Sequence, residues 1–236
     1  MALPAGGVVA FIVGLKRLWD DLVAAAVRVI AAHGVDGATT RRIAEAANAP
    51  LATLHYCFAT KEALFAAVFE YLAGEYRDVL IRNDVHGDVQ TTARALLRGV
   101  MEWYRENPAF GATIIELISW GQREGTQAQV VYKAAFDTMR TILGAPRTAA
   151  GRRVAPETID QLIYLVAALS DGFALNWLVF TDEAAAQGQM ELTLGALDAW
   201  MAAHLGDGPA ATPAAQAPAR TPEPRMRSLV SWVGVD

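Results

Sequence analysis

Apolar residues recur at helical spacing along most of the chain, and the strict alternation that marks strands is nearly absent. Leu18, Leu22, Ala26 and Ile30 repeat every four residues, and Gly34 supplies the C-terminal stop of this first helix. Thr39 is placed to cap a short second helix that ends at Ala46 or Ala47. A third helix is predicted from about Leu51 to Tyr56. Thr60 then caps a longer fourth, in which Leu64, Val68 and Leu72 share one face with Phe65 beside them. The pattern breaks at "RNDVHGD", where polar residues and Gly87 interrupt it. Beyond it, helices are expected near 88–107, 108–121, 125–144, 156–181 and 187–205. Pro108 and Pro156 fall at or near first helical positions, where a missing N–H does no harm.

The fold class that follows is all-α, with about nine helices. An N-terminal helix-turn-helix domain of three helices is expected over residues 16–84. A larger C-terminal helical domain follows over 85–205. Two stretches fall outside this plan. Residues 206–236 begin a Pro/Ala-rich run and are expected to form an unstructured tail. Residues 1–15 read as a flexible extension: their apolar run is too short to span a bilayer, and Lys16 and Arg17 follow it, whereas a signal peptide puts its basic residues first.

The run "LIYLVAALSDGFALNWLVF" is nearly long enough to cross a membrane, but Ser170, Asp171 and Asn176 interrupt it. It is expected to be a buried helix at the centre of a bundle or dimer, and no membrane partner is expected. With 53% hydrophobic residues the chain can bury a real core, and a net charge of −5 excludes a uniformly basic surface but leaves room for a local basic face. The single cysteine, Cys57, excludes an internal disulfide framework and a Cys-based zinc site, and fits a reducing, cytoplasmic setting. No cofactor is expected. The usual enzyme signatures are missing: there is no metal-binding His pair, phosphate-binding Gly loop or nucleophile elbow, and the four histidines are scattered.

Chemistry concentrates in "TTRRIAEAANAPLATLHYCFATKEAL". Two short helices joined by a tight turn make a helix-turn-helix, with Ile43, Ala44, Ala47, Leu54 and Phe58 facing inward. That leaves Leu51, Ala52, Thr53, His55 and Tyr56 partly or wholly outward, on a helix N-terminus slim enough for a DNA major groove. Thr40 and Arg41 stand at one edge and Lys61 at the other, placed to hold phosphates. The helix N-termini at Thr39 and Thr60 offer backbone N–H groups to the same anions. On spacing alone an ordinary helical corner with solvated charges fits as well.

The stretch resembles the DNA-binding segment of TetR/AcrR-type transcriptional regulators. Gly34, Thr39, Ile43-Ala44, Thr53-Leu54, Phe58, Lys61-Glu62 and Leu64 match that pattern in order and spacing, and the likeness covers about residues 18 to 72. It implies that Thr40 contacts phosphate, that Arg41 reaches a base edge or phosphate, that Thr53 lies on the reading helix and that Lys61 grips phosphate. His55 stands where the family has Tyr, with Tyr56 next. Asn48 replaces the usual turn Gly, Pro50 and Leu51 occupy places that often carry polar residues, and Arg42 sits where a capping acid is common. A bacterial repressor is implied, dimeric on a palindromic operator and released by a small, largely apolar effector. A helical interaction or ligand-sensing module with weak or lost DNA binding is the other reading.

In the larger domain Trp103, Phe110, Glu116, Trp120, Phe136, Phe173, Asn176 and Trp177 are the candidate effector-binding residues. Each alone reads more readily as core. Together with Tyr104, Tyr132 and Met139 they allow a mainly apolar cavity with a few orienting polar groups. The resemblance also implies dimerisation through the last two helices, 156–180 and the one that holds Leu192, Leu197, Trp200 and Met201.

Overall fold

The computed structural model describes residues 5–124, 129–144, 148 and 151–205. Nine helices are described: α1 (Ala5–Gly37), α2 (Thr40–Ala46), α3 (Leu51–Cys57), α4 (Lys61–Arg82), α5 (Val89–Glu106), α6 (Pro108–Glu124), α7 (Gln129–Ile142), α8 (Pro156–Phe180) and α9 (Glu183–Leu205). The chain is all-α, as its periodicity predicts. Most helix ends fall within a few residues of expectation. The predicted tail and part of the loop before α8 lie outside the described residues.

One boundary differs. Helix α1 begins at Ala5, so the described part of the presumed extension continues the first helix rather than preceding it. No proline after Pro4 interrupts it, and it runs on into the strongly periodic stretch from Leu18. At the other end Gly34 breaks the helix, with φ +67° and ψ 173°, a left-handed region that only glycine enters without strain.

Local chemistry explains the small domain. Thr39 accepts a hydrogen bond from the Arg42 N–H at 3.2 Å and Thr60 accepts one from the Ala63 N–H at 3.1 Å, so both caps act at their helix starts. Asn48 takes the left-handed conformation, φ 51°, that ends α2. The Ala49 N–H then reaches the Ala44 carbonyl and the Asn48 N–H the Glu45 carbonyl, the paired bonds of a Schellman stop. Helix α1 clamps the same end from outside, where the Arg28 guanidinium donates to the Ala46 carbonyl at 3.2 Å.

The core is continuous across both domains. Leu22, Ile30, Ile43, Leu54, Leu64, Val68 and Leu72 are all buried, together with Leu96, Leu97 and Met101 of α5. Helix α4 packs against α1 at one end and α7 at the other, and α6 packs along α1. Helix α8 is long and apolar enough to cross a membrane by length and composition. Here it is a core helix: nine of its residues, from Ile159 to Trp177, are buried. A ladder of ion pairs ties α5 to α9, with Arg94 on Asp198 and Arg98 on Glu191 at 2.9 Å.

Candidate nucleic-acid interface and effector cavity

Helix α3 turns Leu54 inward, and Phe58 follows it into the core, where it packs on Trp19 at 5.7 Å between ring centroids. The rest of α3 faces out. Leu51, Ala52, His55 and Tyr56 are exposed, Tyr56 to 74%, and Thr53 is half-exposed. The turn residue Asn48 and the capping residue Thr39 flank this face, and Thr40 and Arg41 lie on the first turn of α2.

The basic side chains are engaged. Arg41 pairs with Glu45 at 3.1 Å, both well exposed. Arg42 donates to the Gly37 carbonyl at 2.8 Å. Lys61 is turned towards the protein: its ammonium donates to the Val35 carbonyl at 3.1 Å and lies 5.0 Å from the centre of the Phe65 ring. It pins the start of α4 to the last residues of α1, beyond the break at Gly34. Sequence spacing could not show this, because Val35 is distant along the chain. Cys57 is half-buried, and desolvation pushes its thiol up, which makes it a poor nucleophile.

The eight candidate effector residues do not form one site. Among them Phe136 alone lines the inner cavity, whose walls are Tyr76, Tyr104, Ile114, Val131, Tyr132, Ala135, Phe136, Ala167 and Asp171. Trp103 and Phe110 are core neighbours with ring centroids 4.3 Å apart. Trp120 packs edge-on against Phe65 at 5.3 Å and stacks near Phe69 at 6.5 Å, at the junction of α6 with α4. Glu116 lies against Gly34, where an added Cβ would meet its carboxylate at 3.2 Å, so it belongs to the α1–α6 contact. Asn176 is exposed and donates to the Gly172 carbonyl of its own helix. It shares an outer groove between α8 and α9 with Phe173. Trp177 is buried away from the cavity, with no partner for its indole N–H among the described residues.

The carboxyl on the cavity wall is Asp171, from the middle of the apolar α8. It accepts a hydrogen bond from the Tyr132 hydroxyl at 2.7 Å. Burial pushes its carboxyl up, and the Tyr132 bond opposes that only in part. Burial also raises the hydroxyls of Tyr76, Tyr104 and Tyr132, so all three stay neutral phenols at physiological pH. A carboxylate inside a long apolar run was the available signal for this site.

These features define a class: a helix-turn-helix braced by two long helices, carried on a helical domain with an internal cavity. Residues 22–68 match the profile of bacterial regulatory proteins of the tetR family. Over 79 residues the chain is 39% identical to the HTH-type nicotine-responsive transcriptional repressor HdnoR of Paenarthrobacter nicotinovorans. That stretch spans 33% of this chain and 41% of HdnoR. The fold extends further. A member of the TetR family from Streptomyces coelicolor A3 superposes with a TM-score of 0.57 at 23% identity, over 75% of this chain and 96% of that one. The fatty acid degradation regulator FadR from Bacillus halodurans gives 0.59 at 20% identity, over 75% and 95%. Residues 22–68 thus carry the tetR-family profile, and the helical domain behind them shares the fold of these solved structures.

Proposed function

We propose that the protein is a DNA-binding transcriptional repressor that holds a roughly palindromic operator as a homodimer. A small, largely apolar effector, bound in the helical domain, releases it. The observation that carries this reading is the bare outer face of α3. The side chains of His55 and Tyr56 make no hydrogen bond among the described residues and Leu51 stands exposed beside them, yet the helix that displays them packs on α2 and is anchored in the core through Leu54 and Phe58. A short, rigidly mounted helix with small residues at its N-terminus suits close approach to base edges. Thr53 is the reading residue in this account. Thr39, Thr40 and Arg41 hold phosphate on one side, and Lys61 does so on the other once it leaves the Val35 carbonyl. That HdnoR is a repressor responsive to a small molecule supports the same reading.

Two copies are needed because each offers one short reading helix. The outer faces of α8 and α9 support the pairing, since Tyr164, Leu175, Val179, Phe180 and Leu192 are all exposed there. The setting is the bacterial cytoplasm, and the role is binding rather than catalysis.

A gel-shift on DNA from upstream of its own gene, repeated across a salt series, tests the proposal. A shifted band that weakens steeply with salt supports it. The Arg41–Glu45 and Lys61–Val35 contacts favour the second reading, a helical interaction module, because they occupy the cations a DNA backbone needs. That reading gains if the salt series shows no binding at any concentration.

A further inference from the structure

The cavity itself carries the identity of what it binds. Its nine lining residues include one acid and no Lys, Arg or His, so an ionised Asp171 has no counter-ion there. Its one strong partner is the neutral hydroxyl of Tyr132. Around it stand four aromatic rings, Tyr76, Tyr104, Tyr132 and Phe136. Ring faces carry negative potential and attract cations, most strongly where water is excluded. A carboxylate without a counter-ion adds to that field, and no residue on the walls opposes it.

Access is visible as well. Tyr132 and Phe136, packed edge to face at 6.2 Å, line the inner cavity on one side and an outer cleft of about 440 Å³ on the other. The remaining cleft walls are Ile118, Gln122, Lys133, Asp137 and Arg140. Both cations at the mouth are paired, Lys133 with Asp137 at 3.3 Å and Arg140 with Asp160 at 2.8 Å, so neither leaves an unbalanced positive charge there. The inner space is only about 10 Å³ as it stands, room for a single water. A ligand must therefore displace the two rings, and moving Tyr132 takes away the one hydrogen bond that Asp171 accepts.

We propose that the effector is an organic cation, a protonated amine or quaternary ammonium on a compact apolar body. It enters between Tyr132 and Phe136 and sits among the four rings with Asp171 as its counter-ion. The proposal rests on the effector-controlled reading above and deepens it. An anion would meet Asp171 directly, and a neutral ligand would leave that carboxylate uncompensated. Tyr132 links the event to the reader, because its helix α7 packs along α4, whose other end abuts the helix-turn-helix.

The test uses the full chain, without DNA, and two probes of one shape: trimethylanilinium and its neutral isostere tert-butylbenzene. Calorimetric titration should show saturable binding of the cation, roughly tenfold or more tighter than the isostere. Asp171→Asn should remove that preference while leaving the weak affinity for the isostere in place. Tyr132→Phe, which frees Asp171 without altering the ring, should hold or tighten cation binding, whereas a purely structural role for the pair would weaken both probes. Equal affinity for the two probes, an unchanged preference in Asp171→Asn, or no saturable cation binding would each overturn the proposal. Because no DNA is present, a failed operator experiment and a failed cation experiment remain separate results.

Discussion

Thr113 of α6 donates its hydroxyl to the Val27 carbonyl of α1 at 2.9 Å, and through this bond the helical domain grips the helix that braces the reader. The same hydroxyl reaches the Ala109 carbonyl at 2.8 Å, and the side chain is fully buried. Val27 keeps its place in the α1 ladder, so losing the hydroxyl strands no acceptor. Thr113→Val should cost about 1 kcal/mol in urea unfolding, with an unchanged denaturant slope. A loss far above that would mean the domains part altogether.

Gly34 and Glu116 mark a second point of the same contact. A side chain at Gly34 faces both a left-handed backbone and the Glu116 carboxylate. Gly34→Ala should destabilise by about 1–3 kcal/mol. Adding Glu116→Ala should recover only the contact part, because backbone strain remains. Full recovery in the double variant would show that the strain is negligible.

Lys61 has two employments in this account, one in the fold and one on DNA. Lys61→Ala loses the bond to Val35 and should lower stability by about 1 kcal/mol, while weakening all DNA sequences about equally. The Arg41→Ala, Lys61→Ala double variant should lessen the salt dependence by about two counter-ions' worth of slope. Unchanged affinity in the double variant would remove both residues from the interface.

Trp120 should matter for stability and not for ligand preference. It joins α6 to α4 through Phe65 and Phe69 and does not line the cavity. Trp120→Ala should cost about 2–4 kcal/mol in thermal or urea unfolding. The ratio of affinities for the two probes should stay at the parent value in folded protein.

Asp171 predicts a pH effect. Its folded pKa is raised, so the folded state holds that proton more tightly than the unfolded state. Stability therefore falls as pH rises from the unfolded pKa to the raised one, and above both the full penalty is present. Asp171→Asn keeps an acceptor for Tyr132 and removes the charge. Without ligand the variant should melt higher than the parent at neutral pH, and the advantage should shrink as acid protonates Asp171. A difference that ignores pH would assign the effect to packing.

What the sequence by itself determined is what local physics controls. Spacing at three and four residues places apolar faces on helices, and the caps at Thr39 and Thr60 and the left-handed turns at Gly34 and Asn48 need only neighbours along the chain. The order of helices and the outward face of α3 were legible for that reason. The last helix shows the limit: Leu197 and Met201 turn into their own protomer's core while Leu192 stays 77% exposed, a division that periodicity alone cannot make. Only the tertiary structure decided that Trp120 and Glu116 serve the join between domains, that Lys61 points at Val35, and that the cavity gathers around Asp171 and three tyrosines. Those relations depend on side chains from α4, α5, α6, α7 and α8 converging in space. Convergence is set by how whole helices pack, and a pattern read along one helix carries no record of which neighbour its face will meet.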